Sequence, residues 1–240
     1  MTDAHCHALR GEERHFLCEP CEALIGANDV AFYGCHPWLW KEWEGAESFR
    51  ERIASNPASG VGEIGLDRLK DREIPKGMRE VFKAQLEIAS EFARPVVLHG
   101  AKCWGEVVKA CMPYAGRIPA FLFHGFSRSG GLVPDIVEMN GFVSVGPAVL
   151  NDHAVNYRNL VRSLPREIIL VESDATADNA EDVPQIEEIA RKAAEIRGED
   201  FSSFKESIEA NAMRFAKGRF KLFSCYNHSI KKKSAKINWL

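Results

Sequence analysis

Residues 60–100 read GVGEIGLDRLKDREIPKGMREVFKAQLEIASEFARPVVLHG, and this stretch decides the fold class. Two short apolar runs, 60–66 and 95–100, flank a segment whose apolar residues recur at helical spacing. The helical stripe over 78–93 contains Met78, Val81, Phe82, Ala89, Phe92 and Ala93. Both flanking runs are nearly continuous in apolar character, which is typical of parallel strands buried on both faces. The stretch therefore predicts a strand–helix–strand unit.

The same alternation extends over most of the chain. Further candidate strands are 2–6, 15–18, 30–35, 120–126, 141–146 and 168–173, and further helical patterns cover 183–196 and 201–216. Eight such units predict an α/β fold, a (β/α)8 TIM-like barrel. Residues 8–14 are too few for a crossover helix, so we expect the first helix to be missing or reduced to a turn. We expect one domain over 1–217 and a flexible basic tail over 218–240.

Composition narrows the class of protein. Hydrophobic residues make up 45% and charged residues 27%, as in ordinary globular proteins, and no apolar run is long enough to span a membrane. Seven cysteines, an odd number, fit a reducing compartment, so we expect a cytoplasmic protein. No obligate protein partner is indicated.

The charge is unevenly distributed along the chain. The net charge is −3, and the last 21 residues hold five lysines and no acidic residue, which leaves the body at about −8. An acidic body does not attract nucleic acid diffusely, so a polyanionic substrate would need metal ions and local basic side chains. The lysines at 231–233 could touch nucleic acid or could simply solubilise the tail.

Potential metal ligands lie late in five of the predicted strands or just after them. They are His5, His7, Glu63, His99, His124 and Asp174. In an extended strand, Asp3, His5 and His7 lie on one face, and in such barrels the reactive groups lie at the carboxyl ends of the strands. A lone histidine is more often a core group, but five strands would not all end this way by chance. The pattern predicts a metal centre at the barrel mouth.

The ligand set indicates two divalent ions. Six nitrogen and oxygen donors exceed the four of a closed structural zinc site, and a carboxylate such as Glu63 can bridge two ions about 3.5–4 Å apart. One ion would take His5, His7, Glu63 and Asp174, and the other would take Glu63, His99 and His124. Imidazole-rich sites suit Zn, Mn, Fe or Co, and Mg less well.

We assign catalytic roles to two of these ligands. Asp174 orients the attacking water and accepts its proton, while Glu63 holds the ions. Weaker candidates for substrate contacts are His36, Asp67, Lys102, Arg128 and Glu172. Asp67 is also a candidate acceptor that fixes a ligand imidazole or Arg68. His36 could instead bond a loop, Glu172 could instead form a supporting ion pair, and Lys102 and Arg128 could instead be solvated loop charges.

Aromatic and thiol side chains near strand ends leave further alternatives. Trp38 and Trp104 could stack on a nucleic acid base or form part of the pocket wall. For Trp38 we expect the role in the pocket wall. Cys18 and Cys21 have a CxxC spacing, but without a second pair we interpret them as structural. Cys6 alternates away from the histidine face and is expected in the core.

The motifs resemble those of the TatD-type metal-dependent hydrolases and deoxyribonucleases of the amidohydrolase superfamily, over residues 1 to 217. They are DAHCH (3–7), GCHPW (34–38), GVGEIGLD (60–67), PVVLH (95–99), FHGFS (123–127) and ESDA (172–175). The resemblance implies metal ligands at the same six positions, and Mg-supported nuclease activity in some members. The segment between the first two motifs is short, and GAKCWG (100–105) and FSRS (126–129) depart from the usual pattern.

These features predict a metal-dependent hydrolase that cleaves phosphodiester bonds, with DNA or a similar molecule as substrate and two ions of Zn, Mn or Mg. One alternative is hydrolysis of a small ester, lactone or amide at the same centre. Another is a barrel of the polymerase-and-histidinol-phosphatase type, which also opens with HxH but needs more ligands. A third is a non-catalytic metal-binding or adaptor protein, which would be expected to have lost a ligand.

Overall fold

The computed structural model describes residues 1–11, 14–19, 25–69, 73–127 and 130–216. Its eight strands are β1 (Thr2–Cys6), β2 (Arg14–Cys18), β3 (Val30–Tyr33), β4 (Gly60–Asp67), β5 (Val96–Ala101), β6 (Phe121–Phe123), β7 (Gly141–Val145) and β8 (Ile169–Val171). Each strand pairs in parallel with the next, in the order of the sequence. The segment after β8 closes the barrel, because the His5 carbonyl accepts from the Asp174 N–H at 3.1 Å and the Ala175 carbonyl accepts from the His7 N–H at 2.7 Å.

Seven helices surround or close this barrel in the described residues. They are α1 (Ala46–Ser55), α2 (Lys76–Glu91), α3 (Trp104–Cys111), α4 (Val133–Glu138), α5 (Val155–Ser163), α6 (Ile186–Arg197) and α7 (Phe201–Ala216). The described part of the β1–β2 connection contains no helix, which confirms the barrel with a missing or reduced first helix. None of these helices combines the length and apolar character needed to cross a membrane.

The segment after β8 covers part of the barrel wall that a first helix would otherwise cover. Cys6 and Leu17 pack there against Ala175 and Val183. The nearly buried Arg10 guanidinium donates to the carbonyl of Val183 at 2.7 Å and to the next carbonyl at 3.0 Å. Cys6 is therefore a core residue, as predicted.

Helix α7 closes the end of the barrel opposite the mouth. Phe215 packs against Phe16, Phe32 and Phe142, with ring centroids 5.4–5.8 Å apart. On β1, the backbone N–H of Thr2 donates to Oε1 of Glu209, which lies on α7, at 2.7 Å. Because one end is filled by aromatic rings, the carboxyl ends of the strands form the open end of the barrel in the described part of the chain.

Several predicted strands end earlier than expected. β3 ends at Tyr33, β6 at Phe123 and β8 at Val171, two to three residues before the apolar patterns end. At these points the chain leaves the hydrogen-bonded ladder of the sheet, and polar side chains follow at the barrel mouth. The predicted flexible tail at 218–240, Arg128 and Cys21 lie outside the described residues.

Candidate metal centre

Glu63, on β4, lies at the middle of the predicted ligand set, and its side chain is only 4% exposed. Its Oε1 lies 2.7 Å from Nδ1 of His99 and 2.9 Å from Nε2 of His124. Its Oε2 lies 3.3 Å from Nε2 of His7 and 3.6 Å from Nε2 of His5. Each oxygen of the carboxylate thus faces a different half of the histidine cluster, as a bridging ligand would.

Asp174 completes the group of six. Its Oδ1 lies 3.5 Å from Nε2 of His5, and 53% of its side chain is exposed at the mouth. The residue has a φ of 54°, in the left-handed region that aspartate tolerates better than most residues. This backbone turn follows β8 directly and keeps the side chain beside β1, where the Asp174 N–H is bound to the His5 carbonyl.

The charges of the cluster depend on one another. Burial alone would raise the pKa of Glu63, but His124, His7 and His99 outweigh it and lower the pKa well below its usual value. Burial alone would lower the pKa of His124, but Glu63 and Glu172 raise it well above its usual value. His5 stays neutral, because burial and the charge of His124 lower its pKa. Without a cation, protons on imidazoles balance the buried carboxylates.

The residues present fit divalent cations. The Nε2 atom of His5 is buried and has no hydrogen-bond partner. Its nearest carboxylate oxygens, at 3.5 and 3.6 Å, are too far for a good hydrogen bond. They are close enough to share an ion with it, since each metal–ligand bond is about 2 Å long. The orphaned atom therefore indicates a ligand between these groups.

Within the described residues, three groups of ligand atoms are close enough to hold an ion. They are His5, His7 and Asp174; His5, Glu63 and His124; and His36, Glu63 and His99. The third group differs from the predicted pairing of Glu63 with His99 and His124. The structure brings His36 into the cluster, with Nε2 3.7 Å from Oε1 of Glu63.

Two of these imidazoles also have a carboxylate on the side away from Glu63. Asp67 Oδ2 lies 2.8 Å from Nε2 of His99, which is the imidazole contact predicted for Asp67. Glu172 Oε2 lies 3.5 Å from Nδ1 of His124, an ion-pair contact that is longer than a good hydrogen bond. Such outer partners fix the orientation of ligand imidazoles. The ion-pair alternative for Glu172 is therefore favoured over a substrate contact, since this residue is 2% exposed.

Cys18 is a partner of His5 that sequence analysis did not identify. Its Sγ lies 3.5 Å from Nδ1 of His5, and burial raises the pKa of the thiol well above its ordinary value. A second missed group is Ser173, which donates its N–H to Asp3 at 2.9 Å. Burial raises the pKa of Asp3 to about 7, although the bonds from Ser173 oppose this. The DxHxH spacing, which places Asp3 on the same strand face as His5 and His7, was the sequence signal that could have identified Asp3 as part of the site.

The remaining candidates occupy different places. Lys102 is exposed on the rim just after β5. Trp38 is 51% exposed beside the cluster. Of the two roles considered for Trp104, base stacking is excluded, because this ring is 6% exposed and packs against Phe126 with centroids 5.3 Å apart. α3 begins at Trp104 and directs the indole toward the barrel wall.

Comparisons with known proteins agree with this architecture. A sequence profile described as TatD related DNase matches residues 18–217. The curated "3'-5' ssDNA/RNA exonuclease TatD" of Pectobacterium carotovorum is 26% identical over 195 residues, which cover 75% of this chain and 75% of that protein. The same-named protein of Dickeya dadantii is 25% identical over 75% of this chain and 74% of that one.

Two solved structures share the fold. A TatD homologue from Escherichia coli K12 superposes with a TM-score of 0.76 at 19% identity, over 89% of this chain and 96% of the other. A TatD family hydrolase from Entamoeba histolytica superposes with a TM-score of 0.69 at 15% identity, over 84% of this chain and 83% of the other.

Proposed function

The chain belongs to the TatD-related DNase family, and from this premise we propose that it is a metal-dependent nuclease. It hydrolyses phosphodiester bonds of DNA or a similar nucleic acid. The observation that carries the proposal is the convergence of four imidazoles and two carboxylates around the barrel mouth, with Glu63 at its centre. The names of the curated relatives, exonucleases for single-stranded DNA and RNA, support the substrate class.

We assign two divalent cations to this centre, of Zn, Mn or Mg, with Glu63 as the bridge. His5, His7 and Asp174 would hold one ion. His99 and His124 do not form one of the three close groups with Glu63, but their ring nitrogens lie 2.7 and 2.9 Å from the same Glu63 oxygen, and a small movement of the rings would let them hold the other. When bound, the ions neutralise phosphoryl oxygens and make water a stronger nucleophile. The opposite orientations of the two Glu63 oxygens support this division.

Asp174 is the proposed proton acceptor. Its Oδ1 faces His5, and the exposure of its side chain leaves carboxylate lone pairs available for water at the mouth. Burial alone would raise its pKa, but His5 and His124 lower it, so the group is ionised at neutral pH. An ionised, half-exposed carboxylate beside the ligands can orient water and take its proton.

His36 is the proposed donor to a phosphoryl oxygen. Its Nδ1 accepts the Trp38 N–H at 3.1 Å, so the proton of the neutral ring lies on Nε2, which faces the cluster. Burial lowers the pKa of His36 to about 4, which keeps the ring neutral at pH 7. Sequence analysis left two roles open for His36, a substrate contact and a hydrogen bond to a loop. In this proposal Nε2 takes the first role and Nδ1 takes the second.

The experiment is a cleavage assay on purified protein that has been stripped with a chelator and reloaded with Mn²⁺, Zn²⁺ or Mg²⁺. We expect labelled single-stranded DNA to be cleaved only after reloading. The double variant His99→Ala/His124→Ala should fall to the rate of the stripped protein, while the control His153→Ala, an exposed histidine, should match wild type. Equal rates for the double variant and wild type would assign the activity to a contaminant.

Two further outcomes test the substrate. Cleavage of carboxyl esters but not of DNA or RNA by the reloaded protein would replace the nuclease by an esterase using the same centre. Failure of both ions to bind would overturn the metal centre itself. We also propose a cytoplasmic location, which is supported by the free thiols of Cys6, Cys18, Cys35, Cys103 and Cys111.

A further inference from the structure

Trp38 presents an aromatic surface at the edge of the candidate metal centre. The residue lies on the 3-10 turn Pro37–Glu42 that follows β3, and 51% of its surface is exposed. Leu69, whose N–H donates to the carboxylate of Asp67, is 52% exposed. Tryptophan is usually largely buried, so one that is half exposed beside a reactive site calls for a functional explanation.

The orientation of the indole is set by the same groups that surround the cluster. Its Nε1–H donates to Oδ2 of Asp67 at 2.9 Å, the oxygen that also lies 2.8 Å from Nε2 of His99. Its backbone N–H donates to His36. The ring centroids of Trp38 and His36 are 5.1 Å apart, and those of Trp38 and His99 are 6.5 Å apart. The indole therefore lies next to the imidazoles of His36 and His99, at the edge of the candidate metal centre.

This placement argues against the expected role of a pocket wall. A wall residue would be covered by its neighbours, whereas half of Trp38 faces solvent. The polar atom of the indole is already satisfied by Asp67, so what the side chain offers a ligand is its ring surface. A ring surface next to a phosphate-cleaving centre suits a planar, apolar group attached to that phosphate.

Resting on the proposed function, we propose that Trp38 is a stacking platform for the base of the nucleotide next to the scissile bond. Aromatic stacking accepts every base, because each has a π-face, and it requires a base that is not paired. The platform therefore selects unpaired strands or ends without selecting sequence. Lys102, exposed on the rim after β5, two strands along the barrel from β3, would supply positive charge for the phosphate backbone of the bound nucleic acid.

Binding and cleavage are measured separately to test this. The binding probe is a fluorescein-labelled phosphorothioate oligothymidylate, which resists hydrolysis, titrated with Mn²⁺-loaded protein. The competitor is an oligomer of equal length in which every nucleotide is abasic, so that the phosphates remain and the bases are gone. The variants are Trp38→Leu, which keeps apolar bulk, Trp38→Phe, which keeps an aromatic face without the N–H, and the control Leu39→Ala, an exposed apolar residue on the same turn.

We expect Trp38→Leu to weaken binding of the oligothymidylate by about tenfold or more, the range that loss of one base–aromatic stack implies. Its KM for the hydrolysable strand should rise in parallel with little change in kcat. The abasic oligomer should bind wild type and Trp38→Leu equally. Trp38→Phe should lie much closer to wild type than Trp38→Leu, and Leu39→Ala should not differ from wild type.

Other results would overturn the platform. Equal weakening in the Phe and Leu variants, with loss of Mn²⁺ affinity, would mean that Trp38 acts only through its bond to Asp67. If wild type and Trp38→Leu bound the oligothymidylate equally, the stacking role of Trp38 would be refuted. The proposed nuclease function would still stand if the wild-type protein cleaved the hydrolysable strand. A wild-type protein that neither binds nor cleaves the strand would overturn both proposals.

Discussion

Gly65→Ala tests how closely β4 and β5 approach each other at the candidate site. Gly65 lies on β4 between Glu63 and Asp67, pairs with His99 on β5, and has a φ of 154°. A Cβ at this position would lie 2.0 Å from the carbonyl oxygen of His99 and 2.9 Å from its carbonyl carbon. Both atoms belong to the backbone, so the contact cannot be relieved by rotating a side chain.

The expected loss of stability is large. Holding a non-glycine residue in this region of φ costs about 1–3 kcal/mol, and forcing an extra carbon into a packed interior costs about 1–3 kcal/mol more. The total, about 2–6 kcal/mol, is a substantial part of the roughly 5–15 kcal/mol that stabilises a typical domain. At about 2–4 °C per kcal/mol for a domain of this size, Tm should fall by roughly 5–20 °C.

Thermal unfolding monitored by circular dichroism measures this change, and Gly105→Ala is the matched control. Gly105 lies in α3, and a Cβ there would meet nothing within 4 Å. Alanine is the better helix former by up to about 1 kcal/mol, so the control should unfold at the same or a slightly higher temperature. Because relief of the clash at Gly65 moves His99, Mn²⁺ affinity should also fall in Gly65→Ala and not in the control.

A Gly65→Ala protein that melts within about 2 °C of wild type, less than 1 kcal/mol of destabilisation, would refute this reasoning. So would a large loss of stability in the control. If Gly65→Ala lost stability but kept full metal affinity, the two strands would be closely packed as described, while the position of His99 would not depend on that packing.

Three further predictions follow from other contacts. Glu172→Gln should weaken metal binding by about 10–100-fold, since it removes the charge behind His124, and competition with a metal-sensitive dye measures this. Burial alone would lower the pKa values of His7 and His124, but nearby carboxylates raise both, so a cation must displace protons and its affinity should rise with pH. Calorimetry in buffers of different protonation enthalpy should detect proton release that decreases as pH rises, and pH-independent affinity would contradict the assignment. Arg10→Ala should cost about 2 kcal/mol or more in urea unfolding, because its bond to Val183 involves a charged donor that is nearly buried; an unchanged midpoint would count against this.

Much of the fold was predictable because its signals are local. Apolar runs at 60–66 and 95–100 correspond to β4 and β5, and the helical stripe between them corresponds to α2. Burial on both faces of a parallel strand requires such runs, whatever the rest of the chain does. The ends of strands were less predictable, because β3 and β6 stop where the pairing ladder stops rather than where apolar residues do.

The candidate site was predictable to the extent that strand ends determine it. In a parallel barrel all strands finish at one rim, so residues late in a strand or just after it come together there, and the other five candidate ligands do lie around Glu63. The positions of Trp38 and Trp104 were not predictable in this way. Both follow a strand end, yet one is exposed at the site and the other is buried against Phe126.

By itself, the sequence determined which candidate metal ligands reach the mouth, because the two-residue period of a strand and the common direction of parallel strands are properties of the backbone. The tertiary structure alone decided how those groups pair with one another. The contact of Cys18 with His5, the approach of His36 to Glu63 and the sharing of Asp67 between His99 and Trp38 all join different strands or loops. Their geometry depends on the register and curvature of the closed barrel, and no local pattern of residues encodes these.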